Sequence, residues 1–257
     1  MIQSKLAEYG LDRPESGDDV AVPFALEALD SRGRVVRLGP ALDIIIARHG
    51  YPEPVARLLG EAITLAALVG SSLKFEGRFI LQTRTDGPVN LLVVDLDAPD
   101  GLRAYARFDA DELAKAKAAG RTKPQELLGK GVLAMTVDQG VHMDRYQGIV
   151  ALEGDDTLEQ VAHTYFMQSE QIPTRVRLAV AEVSTRGDAH SHWRAGGVLL
   201  QHLPEHGGKA RMADLPGNGD SDDPAMADPD FAEDDRWTEA RMLLDTLEDA
   251  ELADPDL

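Results

Sequence analysis

The charge of this chain is loaded at one end, and that loading decides how much of it can be core. Residues 1–203 carry 22 Lys+Arg against 28 Asp+Glu, a net of −6, whereas residues 204–257 carry 4 against 17, a net of −13. Between Ala213 and Asp235 stand nine acidic residues and three prolines, with Leu215, Met226 and Phe231 the only sizeable apolar side chains. Such a stretch buries too little surface to offset the entropy lost on ordering, so it reads as disordered linker. The chain is therefore divided into a core domain over 1–203, an acidic flexible linker over 204–235 and a terminal segment over 236–257.

The terminal segment has a different pattern. From Trp237 to Leu252 the apolar residues Trp237, Ala240, Leu243, Leu244, Leu247 and Ala250 recur at helical spacing, with Glu239, Asp245, Glu248, Asp249 and Glu251 on most of the other face. One short amphipathic helix is expected, too short to be stable alone in water. It needs a surface, either this chain's own core or another protein. Trp237, Leu243, Leu244 and Leu247 are the candidate contact residues.

Composition excludes several classes of function. Apolar residues make up 43% and charged residues 28%, as in an ordinary globular protein. Cysteine is absent, which removes thiol nucleophiles, disulfides and thiolate zinc sites. A net charge of −19 repels nucleic acid and anionic membranes, so neither is expected as a partner. Met1 to Gly10 contains Lys5 and Glu8 and no apolar h-region, and the apolar run Val55 to Val69 is interrupted by Arg57 and Glu61. A cytoplasmic location is the expectation.

The body reads as strands and helices without regular alternation. Strands are expected over Val35–Leu38, Arg78–Thr85, Val89–Leu96, Leu102–Phe108, Val132–Val137, Tyr146–Leu152, Val176–Val183 and Val198–Leu203. Ser31-Arg32-Gly33 reads as a turn, and Asp86-Gly87-Pro88 as the tip of a hairpin. Helices are expected around Leu42, Ile45, Ile46 and His49, over Val55–Leu73, over Asp111–Ala119 and over Thr157–Ser169. Hairpins with separate helices imply an α+β domain with a largely antiparallel or mixed sheet packed with helices.

Motifs of catalysis are missing. Gly129-Lys130-Gly131 has Pro124 where a phosphate loop needs its first glycine, and no Ser or Thr follows Lys130. Four of the seven histidines, His190, His192, His202 and His206, lie within seventeen positions. Alternate histidines on one strand can share a metal, which admits a metal-dependent hydrolase, but no matching carboxylate spacing supports it. His49, His142 and His163 stand alone and read as structural. The residues by themselves leave an acidic adaptor that binds one folded partner as a competing reading.

Five runs together resemble one family. They are FEGRF (75–79), QTRTDGPVNLLVVD (82–95), DRYQGIVALEG (144–154), YFMQSEQIPTRVRLAV (165–180) and AGGVLLQHLP (195–204). In this order and spacing they resemble the bacterial redox-regulated 33-kilodalton chaperonins, zinc-dependent heat-shock holdases. The resemblance implies an ATP-independent chaperone, not an enzyme, that captures unfolding proteins under heat or oxidative stress, typically as a homodimer. In that family a C-terminal domain holds zinc through four cysteines, and its oxidation frees apolar surface for clients. This chain departs sharply, since it has no cysteine and stops where the linker would lead into the zinc domain. A truncated product of a longer protein is expected rather than a natural cysteine-free variant. The expected activity is a holdase without its redox switch and without a cofactor, and the terminal helix is the candidate displaceable cover.

Overall fold

Period-two alternation in two separate parts of the chain builds two sheets, and one largely buried helix lies between them. The structure, a computed structural model, describes residues 17–71, 77–98, 101–138, 145–184, 191–203 and 235–253. β1 (Val20–Leu26) and β2 (Ser31–Leu38) form an opening hairpin, followed by α1 (Pro40–Ala47) and α2 (Glu53–Gly70). β3 (Gly77–Thr85), β4 (Val89–Ala98) and β5 (Gly101–Phe108) form a meander, then α3 (Ala110–Ala118) and α4 (Pro124–Leu128) lead to β6 (Lys130–Asp138) and β7 (Tyr146–Glu153). α5 (Leu158–Tyr165), β8 (Thr174–Val183) and β9 (His192–His202) complete the body, and α6 (Asp235–Asp245) and α7 (Asp249–Ala253) form the tail.

The order β1-β2-β9-β8 makes a four-stranded sheet and β5-β4-β3-β6-β7 a five-stranded one, with every pairing antiparallel. The α+β class expected from sequence is the observed one, with two sheets in place of one. Helix α2 packs against strands of both. Fifteen of its eighteen residues are buried, and the other three, Glu53, Arg57 and Glu61, recur every four residues on one narrow charged stripe. Small residues set its closeness: a Cβ on Gly60 would sit 2.9 Å from Val180 Cγ1, and one on Gly70 would sit 2.3 Å from Leu96 Cδ2.

Three expectations are corrected. Ser31-Arg32-Gly33 is not a turn but lies inside β2; the turn precedes it, with Asp30 in the left-handed region at φ 41°. Gly33 serves instead as a seat for an aromatic ring, because it pairs with Phe24 and a Cβ there would fall 2.2 Å from Phe24 Cζ. α1 ends at Ala47, and His49 lies beyond it, stacked 5.3 Å from Tyr51 and 5.7 Å from Tyr105. The segment Trp237 to Leu252 is two helices rather than one. Thr246 Oγ1 bonds back to the Leu243 carbonyl, the Thr246 and Leu247 amides make tight three-residue bonds to Leu243 and Leu244, and Glu251 caps the Glu248 amide to start α7. Gly129-Lys130-Gly131 clasps the β3–β4 turn: Lys130 N donates to Asp86 Oδ1 at 2.7 Å, and Gly87 N donates to the Leu128 carbonyl at 2.9 Å.

Candidate functional site

The four-stranded sheet is covered on both faces, by different parts of the chain. Val36, Val176, Leu178, Val180, Ala195 and Leu199 face α2 and belong to the main core. Residues one step out of phase turn the other way, and there Ala179, Val198 and Leu200 meet Trp237, Ala240 and Leu244 of α6 and Leu252 and Ala253 of α7. Phe24, Leu26, Leu29, Val35, Ala181 and Leu247 border this second cluster. The two clusters are distinct, so the tail helices cap a sheet whose other side is already packed.

A glycine pair in β9 fixes how closely each layer approaches. Gly197 points at α2, where a Cβ would meet Thr64 Cγ2 at 2.8 Å and Leu68 Cδ1 at 2.9 Å. Gly196 points at the tail, where a Cβ would fall 1.7 Å from the Leu252 carbonyl oxygen. Only a residue without a side chain lets α7 lay its backbone directly on the sheet.

A polar rim holds the tail along the sheet's edge. Arg175 Nε pairs with Asp245 Oδ1 at 2.8 Å, and Arg177 reaches Asp249 Oδ1 at 3.1 Å and the Asp245 carbonyl at 3.3 Å. At the opposite end Arg236 pairs with Asp30. Beside the arginines lies a cleft of about 460 Å³ into which Glu61 and Glu159 also project. Burial pushes the Glu61 carboxyl up to about 8, with the Glu159 and Asp249 charges adding to it and Arg57 opposing. Burial likewise raises Glu159, against the Leu178 amide and Arg177.

The same groups close the edge strand β8, whose outward amides would otherwise await another chain. Leu178 N donates to Glu159 Oε1 at 2.7 Å, Val176 N donates to His163 Nε2 at 2.9 Å, and Arg57 donates to the Val180 carbonyl. As an acceptor His163 is neutral, and burial first and Arg175 second lower it to about 4.

The sequence candidates separate. Trp237 and Leu244 are buried, at 8% and 6% exposure, and the Trp237 ring lies 5.7 Å from the His202 ring. Leu247 is partly buried against the cluster, whereas Leu243 is 53% exposed and points away. His192 and His202 stand at opposite ends of β9, about 33 Å apart at the rise of an extended strand. His192 Nδ1 lies 3.1 Å from Asp43 Oδ2. His142, His190, His206 and the linker over 204–234 lie outside the described residues. Among the described residues no three His, Cys, Asp or Glu side chains gather as a metal site, and no helix is long and apolar enough to cross a membrane. Gly196, Arg175 and Arg177 carry no chemical motif of their own in the sequence, although all three lie in the runs that bear the family resemblance.

An antiparallel α+β body with an apolar sheet face closed by its own terminal helices defines a class that comparison makes explicit. The fold matches the crystal structure of a 33 kDa chaperonin (heat shock protein 33 homologue) from Thermotoga maritima, with a TM-score of 0.55 and 24% identity over 71% of this chain and 60% of that one. The family model described as Hsp33 protein matches residues 19–256. A 33 kDa chaperonin of Caulobacter vibrioides is 50% identical over 246 residues, covering 94% of this chain and 73% of the relative. One from Pseudomonas aeruginosa is 41% identical over 189 residues, 74% of this chain and 58% of that protein. The chain belongs to the Hsp33 family, whose members are chaperones rather than enzymes.

Proposed function

We propose that this chain is an ATP-independent holdase whose capture surface is the sheet face beneath α6 and α7, with the tail as its displaceable cover. The observation that carries the reading is the separation of the two apolar clusters. When the tail leaves, Val198, Leu200, Ala179, Val35, Phe24 and Leu26 meet water while α2 and the main core keep their packing. An apolar patch of that kind on an intact domain suits binding to the apolar segments of unfolding proteins.

The clients are unfolded or partly unfolded proteins under heat or oxidative stress, in the cytoplasm, and the working form is a homodimer. The net charge of −19 disfavours nucleic acid and anionic membranes as partners. The zinc of the family does not fit this chain, which has no cysteine to supply the thiolates, so the capture proposed here needs neither metal nor disulfide.

The test is light scattering of a chemically unfolded client diluted into buffer with this chain, without ATP. Suppression of aggregation at near-stoichiometric amounts is expected. Leu244→Asp should strengthen it by undocking α6, since burying an unpaired charge there is strongly unfavourable, while Leu243→Asp on the exposed side should change little. Equal behaviour of the two variants would show that the tail covers nothing of use.

A further inference from the structure

The tail that covers the sheet face is also a sample of what that face accepts, and three of its charges meet partners on the sheet. Arg236 pairs with Asp30 at one end, Asp245 and Asp249 pair with Arg175 and Arg177 at the other, Trp237, Ala240 and Leu244 lie between, and Leu252 and Ala253 follow. Arg236 and Asp245 are nine residues apart, about 13.5 Å along a helix. Arg175 and Arg177 alternate along β8 with core residues Val176 and Leu178, so they project on the same side as Ala179 and Ala181. The result is an apolar strip with Asp30 at one end and two arginines at the other.

We infer, on the reading that this face captures clients, that it selects amphipathic client segments that carry carboxylates beside their apolar residues, as Asp245 and Asp249 stand among Leu244, Leu247 and Leu252. Arg175 and Arg177 are the selecting groups and Asp30 marks the opposite end. The cleft beside the two arginines, lined also by Gln125 and Thr157, leaves room for carboxylates that do not copy Asp245 and Asp249 atom for atom. Two carboxyl groups of the core face the same arginines. Glu159 is already bonded to the Leu178 amide, and Glu61 faces Arg57. When the tail leaves, Arg175 and Arg177 give up Asp245 and Asp249 and face an arriving segment, in a chain that is otherwise strongly acidic. Even with the tail in place Arg175 and Arg177 are 33% and 18% exposed, so each pair acts through partly screened charge.

The experiment uses the full chain carrying Leu244→Asp and Leu252→Asp, which vacates the face while keeping Trp237 as a fluorescent reporter of the tail. The probes are two dye-labelled peptides, one with the sequence of residues 235–253 and one with Asp245→Lys and Asp249→Lys. The charge-reversed peptide is expected to bind about tenfold more weakly at low salt, the scale of two partly exposed ion pairs. The gap should shrink toward 1 M salt, and adding Arg175→Gln and Arg177→Gln to the chain should abolish it. Equal binding of the two peptides at low salt overturns the charge selection and leaves capture standing. Binding of neither peptide, while Trp237 emission reports a displaced tail, overturns the capture reading itself.

Discussion

Gly196→Ala is the sharpest perturbation the structure offers. The new methyl would lie 1.7 Å from the Leu252 carbonyl oxygen, a backbone atom of α7 that can give way only by moving the helix off the sheet. What is lost is the burial of Leu252 and Ala253, now 8% and 6% exposed, and the Arg177–Asp249 pair. Burial of one large and one small apolar side chain amounts to about 2–3 kcal/mol. The ion pair adds little, because Asp249 is 77% exposed. A change of that size shifts the docking equilibrium of α7 by about 30- to 150-fold. Hydrogen exchange reads it directly: amides of residues 251–253 should exchange faster by that factor, while those of β8 and β9 stay protected. Gly197→Ala is the control with opposite signature, since its methyl strikes Thr64 and Leu68 and should lower the melting temperature of the whole domain. If Gly196→Ala left exchange in α7 unchanged, the glycine would not be the seat of the helix and the account of docking would be wrong.

Three further outcomes are expected. Glu61 keeps its proton up to about pH 8 when folded against 4.5 ordinarily, so the unfolded chain releases it first and stability falls as pH rises from about 4.5 through about 8. His163, lowered from 6.5 to about 4, destabilises the fold only as pH drops below 6.5, so denaturant melts between pH 6.5 and 8 are free of its contribution. Glu61→Gln should remove a slope of up to about 1.4 kcal/mol per pH unit there, and an unaltered slope would assign it to another group. Glu159→Ala leaves the Leu178 amide without its partner, at a cost of about 1–3 kcal/mol, and opens the β8 edge; calorimetry should show a lower melting temperature and light scattering new self-association, and an unchanged melt would mean water replaces the carboxylate. Client capture should ignore peroxide, because there is no cysteine to oxidise; activation by peroxide would point instead to methionine, with Met167 and Met242 50% and 63% exposed.

The parts that could be read from sequence are those set by local periodicity. The 3.6-residue spacing from Trp237 onward gives a helix that needs a surface, and Trp237 and Leu244 do lie on one. It does not give the break at Thr246, where a hydroxyl-to-carbonyl bond competes with the helix, nor that Leu243 faces outward. Strand alternation in Arg175-Val176-Arg177-Leu178 is equally visible, but that the arginines meet the tail's own aspartates 68 to 72 positions away is a long-range fact. Gly196 and Gly197 look alike as letters. One admits a side-chain layer and the other a backbone, a difference that exists only once both helices are in place.

From Ala195 to His202 no residue of β9 is exposed. A strand with no wet side has no silent positions, because each change is felt by one packed layer or the other. A lineage that needed a looser or a firmer hold on the tail could not tune it from β9 without disturbing the domain. The adjustable partner is the tail, where residues such as Met242 and Leu243 already face water and answer to nothing else. On the reading that the tail is a displaceable cover, its hold is free to drift in residues 235–253, while the sheet face beneath it is held constant.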